Sequence, residues 1–377
     1  MDSQRAGRMV MQLEGYRAFV PNPLPPCDPP LQKDNEMEAL LEEAAHQISD
    51  LNGITRILPN PELFVDMFVR KESLLSSQIE GTQASFVDVV TETPVTDDQR
   101  EVSNYVRALT YGIRRIQEFP LCLRLIREIH GILLATGRGS DKLPGEFRQS
   151  QNWIGPAGCT LETAAYVPPS PRDLTQALSD LEHFFHDEAP MAPLIKIALI
   201  HAQFETIHPF LDGNGRVGRL LITFWLVQHA ILKRPVLYLS LYFKRHRTEY
   251  YNRLNAVRTE GAWEAWVRFF LKGVAEASRE GVNAAERILA LHQTLTQQLD
   301  DNPICRQDRQ ILDHLFAQPL TTQTALWRRL GGRVSLPTVN KALRQLTQRG
   351  ILVNDGNRRN ATYRFAPYLD ILEEGTT

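Results

Sequence analysis

Residues 201–227 read HAQFETIHPFLDGNGRVGRLLITFWLV, and how this stretch is read decides the fold. At its centre a base (His208), a carboxylate (Asp212), three glycines (Gly213, Gly215, Gly218), Asn214 and two arginines (Arg216, Arg219) fall within twelve positions. Literally, Gly213 to Gly218 satisfies the GxGxxG dinucleotide fingerprint. That fingerprint needs a strand before the glycines and an acidic residue about twenty positions later. Here the preceding segment has helical spacing, and no Asp or Glu occurs between Asp212 and Glu249. A Gly-Lys-Ser/Thr P-loop is absent too, so neither nucleotide fold is supported.

The chemistry still points to polyphosphate. Gly213 and Gly215 let backbone N–H groups approach an anion, and the helix that follows presents its free amides there. Arg216 and Arg219 are neighbours on its first turns, and two cations at the positive end of a helix repel unless an anion lies between them. Asp212 is placed to hold a divalent metal bridging phosphate oxygens, and His208 suits general-base work near neutral pH. A capped helix with a surface ion pair explains each residue singly and the set poorly.

The chain of 377 residues argues for more than one folding unit, and 43% apolar residues is ordinary for a globular protein. No apolar run is long enough for a bilayer, and the first residues show no secretory h-region. Cys27, Cys122, Cys159 and Cys305 are scattered, which suggests neither a zinc site nor a disulfide framework. The expected compartment is the cytoplasm, with no membrane partner. A net charge of −2 gives no global attraction to nucleic acid.

Outward from the centre, residues 1–35 read as loop, rich in proline from Pro21. Helical spacing covers 37–58 and about 62–80, the latter with Leu63, Met67, Leu74, Leu75 and Ile79 as a buried stripe. Its last turn carries Glu80, where the helix dipole disfavours a negative charge. Either solvent covers this carboxylate or a cation elsewhere meets it. Residues 98–136 are helical with a break at Pro120; His130 there reads as a packed helix-face residue, not a base. Residues 137–172, rich in Gly and Pro, hold two strand-like pieces, 147–154 and 163–167, which predict a β-hairpin flap for binding. Helices resume at 174 and 192, while 236–243 fits strand or helix equally.

The segment 303–377 carries eleven Lys/Arg against six Asp/Glu, a net of +5. Three helical runs followed by an alternating pair around Asp355-Gly356-Asn357 resemble a winged helix-turn-helix. In that reading Ser335 to Lys341 opens the recognition helix and Arg358 and Arg359 sit in the wing. Such units also serve as protein-interaction modules, so DNA binding stays open.

The run HPFLDGNGRVGR resembles the signature of the Fic (filamentation induced by cAMP) family, HPFxxGNGRxxR with an acidic fifth residue. Ser76-Ser-Gln-Ile-Glu80-Gly81 resembles the family's inhibitory motif, and FRQSQNWIG (147–155) its target-docking flap. The likeness covers roughly residues 35–290. It implies a mainly α fold: a Fic-type helical bundle with a β-hairpin flap, plus the C-terminal winged helix-turn-helix common in bacterial relatives. The implied division is 1–110 with an inhibitory helix at 62–81, a catalytic domain at 111–298, and the winged unit at 303–377. The implied activity is protein adenylylation: AMP passes from ATP to a Ser, Thr or Tyr hydroxyl of a target, or of the chain itself, docked at the flap. His208 would be the base and Asp212 the Mg²⁺ ligand. Gly213, Asn214 and Gly215 would form the anion hole, Arg216 would support the β phosphate, Arg219 would grip the γ phosphate, and Gly218 would count among the nucleotide-binding residues. Tyr242 would pack near adenine, with Phe210 as a core anchor. Glu80, with Ser76, would occupy Arg219 and block the γ phosphate. Relatives also use other nucleotide donors, and a homodimer is compatible with the family. Two alternatives stand beside this: a DNA-binding regulator with a nucleotide-sensing Fic core, and a de-AMPylase in which Glu80 aligns a water.

Overall fold

The structure, a computed structural model, describes residues 4–58, 61–91, 94–156, 158–332, 334–357 and 361–376. The chain opens with an antiparallel pair, β1 (Gly7–Met11) and β2 (Arg17–Pro21), in the register Gly7 to Pro21. Residues 1–35 are therefore not all loop. The prolines that forbid a ladder begin only at Pro21, and the turn between the strands closes through Gln12 N–H to Tyr16 O at 2.8 Å.

Eleven helices follow: α1 (Asn35–Ile57), α2 (Pro61–Ile79), α3 (Phe86–Val90), α4 (Asp97–Arg115), α5 (Leu123–Leu133), α6 (Pro171–His186), α7 (Pro193–Ile207), α8 (Asn214–Gln228), α9 (Ser240–Arg245), α10 (Arg247–Glu260) and α11 (Trp263–Asp301). Their ends follow local chemistry. Asp34 caps α1 through Met37 N–H; Thr96 and Gln99 form a reciprocal capping box on α4; Ser170 with Pro171 opens α6; and Gly261 at φ +67° ends α10. The segment 236–243 is not a strand: α9 takes over at Ser240, whose hydroxyl and amide both donate to the buried Glu72 of α2.

The centre of the bundle is α7 against α8. Every residue from Leu194 to Ile207 is buried, so α7 has no solvent face and had to be enclosed by other helices. Around this pair pack α4, α5, α6, α10 and α11, with α2 crossing α4 and α9. Close approach of α4 to α8 depends on Gly112, because a Cβ there would come within 2.3 Å of the Phe224 ring. Gly112→Ala is therefore expected to lower stability by roughly 1–3 kcal/mol through overpacking, although alanine is the better helix former. An unchanged melting temperature would show that the two helices can separate freely.

The boundary drawn at 110/111 falls inside α4, since the helix runs unbroken to Arg115 and its buried face serves one common core. Beyond α11 come α12 (Asp308–Ala317), β3 (Leu320–Thr322), α13 (Gln323–Arg329), α14 (Leu336–Gln348), β4 (Val353–Asn354), β5 (Thr362–Arg364) and α15 (Ala366–Glu373). The three strands form an antiparallel sheet in the order β3-β5-β4. Arg358 and Arg359, expected in a wing, lie outside the described residues, as does the side chain of Leu63. This unit docks on α2: Phe64 packs on Phe316 and Tyr368 at ring-centroid distances of 5.8 and 6.4 Å. Gln78 Nε2 donates to Thr376 O at 2.9 Å.

Candidate active site

The loop between α7 and α8 is built by its own polar residues. His208 ends α7 at φ +50°, ψ 60°, a left-handed conformation uncommon for a residue with a Cβ. The Asn214 side chain folds back to bracket Phe210, accepting from its N–H at 2.9 Å and donating to its carbonyl at 2.8 Å. Asn214 thus shapes the loop with its side chain and leaves its backbone at the helix start. His130 supports the same loop from α5. Its ring stacks on Phe210 at 3.7 Å, and its Nδ1 accepts from Gly145 N–H at 2.8 Å. That bond puts the ring proton on Nε2, which donates to Asp212 O at 3.0 Å. Burial pushes His130 down to about 4, consistent with a neutral structural ring.

Helix α8 begins after Gly213 at φ +78°, and its first intrahelical bond is Val217 N–H to Gly213 O. The amides of Asn214, Gly215 and Arg216 precede that bond, which leaves them as donors for an anion. The space before them is taken by Glu80. Its Oε1 lies 2.3 Å from where a Cβ on Gly215 would stand. The same oxygen accepts from Arg219 Nη2 at 2.7 Å. Arg219 is further fixed by Ser76, donating through Nε to its hydroxyl at 2.7 Å and through Nη2 to its carbonyl at 3.0 Å. Glu80 is therefore not a simply solvated residue: a cation meets it from a position far away in sequence. Burial alone would raise its pKa, but the Arg219 charge and hydrogen bond hold it below the ordinary carboxylate value. Arg219 Nη1 is buried without a hydrogen-bond partner among the described residues, a donor suited to a further anionic oxygen.

Arg216 is placed differently from Arg219. Its guanidinium is 1% exposed and donates to the buried Glu101 of α4 at 2.7 Å, with Asp212 Oδ1 at 3.5 Å. Glu101 also receives Arg138 Nη2 at 3.0 Å, and Arg138 reaches Glu80 O at 3.4 Å. Sequence reasoning passed over Glu101 and Arg138. The available signal was a carboxylate on the buried face of α4, which is apolar apart from it and Asn104. Gly218 faces α7: a Cβ there would lie 2.5 Å from Glu205 Oε1, and its carbonyl meets His201 Nδ1 at 3.0 Å. Its place is thus in the packing of α8 on α7, away from the nucleotide-binding role expected of it. Tyr242 is a core residue, packed on Phe269 at 5.0 Å and over Gly273 of α11, because the α9 turn directs it inward. Tyr251 is 42% exposed, and burial together with the Glu80 charge pushes its phenol up to about 12. Among the described residues no cluster of three His, Cys, Asp or Glu could hold a metal unaided.

His208 has its Nδ1 buried and 4.0 Å from Glu205 Oε2, so the Nε2 edge of this 20%-exposed side chain is the one open to a reactant. Burial, reinforced by the charges of Arg258 and Arg148, pushes the imidazole down to about 3. Buried Glu205 is correspondingly raised to about 7. The His208 ring is then neutral throughout the physiological range, the form that accepts a proton. Histidine-selective NMR is expected to show no titration of His208 between pH 8 and 5, whereas an unperturbed histidine titrates near 6.5. A midpoint near 6.5 would show a solvated ring.

The flap carries less strand than its alternation predicts. Residues 147–154 and 163–167 meet only at an Ile154–Tyr166 bridge, with reciprocal bonds of 2.8 and 3.0 Å. The reason is that Arg148 N–H bonds to Pro209 O at 2.9 Å, so this part of the chain follows the His208 loop instead of its hairpin partner. Phe19 N–H of β2 donates to Val167 O at 2.9 Å and covers the far edge.

The fold and this site define a helical protein with a carboxylate seated on an arginine at a helix start and a neutral histidine. Residues 120–226 match the Fic/DOC family and residues 38–114 match the Fic/DOC family N-terminal region. Over 176 residues it is 31% identical to the protein adenylyltransferases Fic of Drosophila grimshawi and Drosophila virilis, covering 46% of this chain. The chain spans about a third of the length of these relatives (33% of each). Among solved structures, a Fic family protein from Desulfovibrio desulfuricans superposes with a TM-score of 0.58 at 18% identity, over 90% of this chain and 98% of that one. A Fic domain containing signaling protein from Bacteroides thetaiotaomicron gives 0.50 at 17% identity, over 68% and 97%. These likenesses show the fold. Among the described residues no helix is long and apolar enough to cross a membrane.

Proposed function

We propose that this chain is a protein adenylyltransferase held in check by Glu80. The observation that carries the reading is the Glu80 carboxylate seated on Arg219 at the start of α8, 2.7 Å from the guanidinium. An anion already occupies the place where the terminal phosphate of ATP would lie. The names of the Drosophila relatives support the same chemistry.

In the proposed step the target hydroxyl oxygen forms a bond to the α-phosphorus of ATP. The bond from that phosphorus to the α–β bridging oxygen breaks, pyrophosphate leaves, and the hydroxyl proton passes to His208 Nε2. The amides of Asn214, Gly215 and Arg216 stabilise the phosphate charge, and Arg219 holds the terminal phosphate once Glu80 withdraws. Arg216, fixed by Glu101, braces the loop from behind. Asp212 would hold Mg²⁺: its side chain is 36% exposed, and glycine at 139 keeps its Oδ2 open, since a Cβ there would come within 2.6 Å. One carboxylate with substrate phosphates is a usual Mg²⁺ set, and the ion when bound offsets phosphate charge. The target segment would lie along 147–155, and a hydroxyl of the chain itself is an admissible acceptor.

Intact-mass spectrometry of Glu80→Gly after ATP and Mg²⁺ tests this directly. A gain of one AMP per modified residue is expected; no gain on the chain or on any lysate protein would refute the transferase. Release of AMP from an adenylylated protein, lost on Glu80→Gly, would instead identify a de-AMPylase. For the C-terminal unit we propose a winged helix with α14 as the recognition helix. Steep salt dependence of binding to duplex DNA is the expected signature if it uses its net positive charge there.

A further inference from the structure

We infer that Arg148 and Asn152 are positioning residues for His208, and that through them the flap sets the geometry of the base. This rests on the transferase reading above. Arg148 is 2% exposed, and among the described residues its hydrogen bonds go to carbonyls rather than to a carboxylate. Nε donates to His208 O at 3.0 Å, Nη2 to Pro169 O at 2.6 Å and to Ile207 O at 3.4 Å, and Nη1 to Ser150 O at 3.4 Å. The amide of the same residue donates to Pro209 O. Asn152 Nδ2 adds bonds to His208 O at 3.2 Å and to Phe210 O at 2.9 Å.

A buried guanidinium without a counter-ion carries a large desolvation cost, and surface ion pairing cannot account for its position. What these donors hold is the carbonyl face of residues 207–210, which contains the left-handed turn at His208. That turn is unfavourable for a side-chain-bearing residue and persists only when its surroundings over-determine it. Both residues belong to the flap, whose Gln151 is itself held by the Tyr16 hydroxyl at 3.0 Å. A target strand laid along 148–154 therefore touches the same backbone that fixes the base.

The test uses the full chain in a Glu80→Gly background, with single-turnover AMP transfer and ATP affinity measured in parallel. Asn152→Ala is expected to slow transfer about tenfold and Arg148→Ala roughly a hundredfold, the scale of a misplaced reacting group. Arg148→Lys is expected to fall between wild type and Arg148→Ala. ATP affinity should stay within about twofold, because the anion site is built by α8. In ¹³C-histidine-labelled protein, the His208 Cα shift should move in Asn152→Ala, reporting departure from positive φ without any need for turnover. If Arg148→Ala does not fold, Asn152→Ala and Arg148→Lys decide. Unchanged rates, or ATP affinity falling in step with rate, would overturn the inference. Should the Glu80→Gly parent transfer no AMP, the transferase reading fails, and the His208 shift alone judges the positioning role.

Discussion

Glu80→Gly is expected to raise AMP transfer by roughly ten- to a hundredfold, the range of a coupling free energy of about 1–3 kcal/mol. The wild-type carboxylate competes with phosphate on two fronts. It occupies Arg219 Nη2 at 2.7 Å and stands over Gly215 at the positive end of α8. Removing it frees the guanidinium, which Ser76 still holds in place through two bonds. The change should also appear without catalysis. A ligand that binds only the folded state raises stability by RT ln(1 + [L]/Kd), so ATP should lift the melting temperature of Glu80→Gly far more than that of the wild type. Equal thermal shifts in the two proteins would mean that Glu80 does not guard the phosphate site.

His208→Ala is expected to lower transfer by roughly 10²–10⁴-fold in the Glu80→Gly background, the usual contribution of a general base. ATP affinity should change little, since the anion site is made by the α8 amides and Arg219. The prediction has a definite pH dependence. The folded-state pKa of His208 is depressed, so the neutral base is retained as pH falls from 8 through 6. The sign is the same without Glu80, whose charge raises the His208 pKa. Loss of rate on acidification within that range must then come from another group. For stability the sign runs with depression as well: the unfolded imidazole binds protons below about 6.5, the folded one only near 3, so the contribution of His208 is lost as pH falls through that window. If the Glu80→Gly and Glu80→Gly/His208→Ala proteins incorporated equal label, His208 would not be the base.

Much of this was legible in the residues themselves. Helical spacing on either side of HPFLDGNGRVGR located α7 and α8, and the glycines, arginines and preceding acid announced a phosphate site at a helix start. Local chemistry is what determines such things: caps, periodicity and free amides depend on residues within one or two turns. The flap and the N-terminal pair were less legible, because short strands depend on partners. Residues 7–11 and 17–21 looked like loop until paired, and residues 147–154 looked like a strand although Arg148 and Asn152 donate to the loop at 207–210.

The chain sequence by itself determined the helical bundle, the family resemblance and the chemical inventory of residues 208–219. Only the tertiary structure decided which of those residues work as a set. It separated Arg219, facing Glu80 and the helix start, from Arg216, buried on Glu101 a hundred and fifteen positions earlier. It moved Gly218 and Tyr242 into packing roles and brought Arg148 and Asn152 onto the carbonyls around His208. The physical reason is the same in each case. A side chain's role at a buried site is fixed by the partner that compensates its desolvation, and that partner is chosen by how helices pack, not by spacing along the chain.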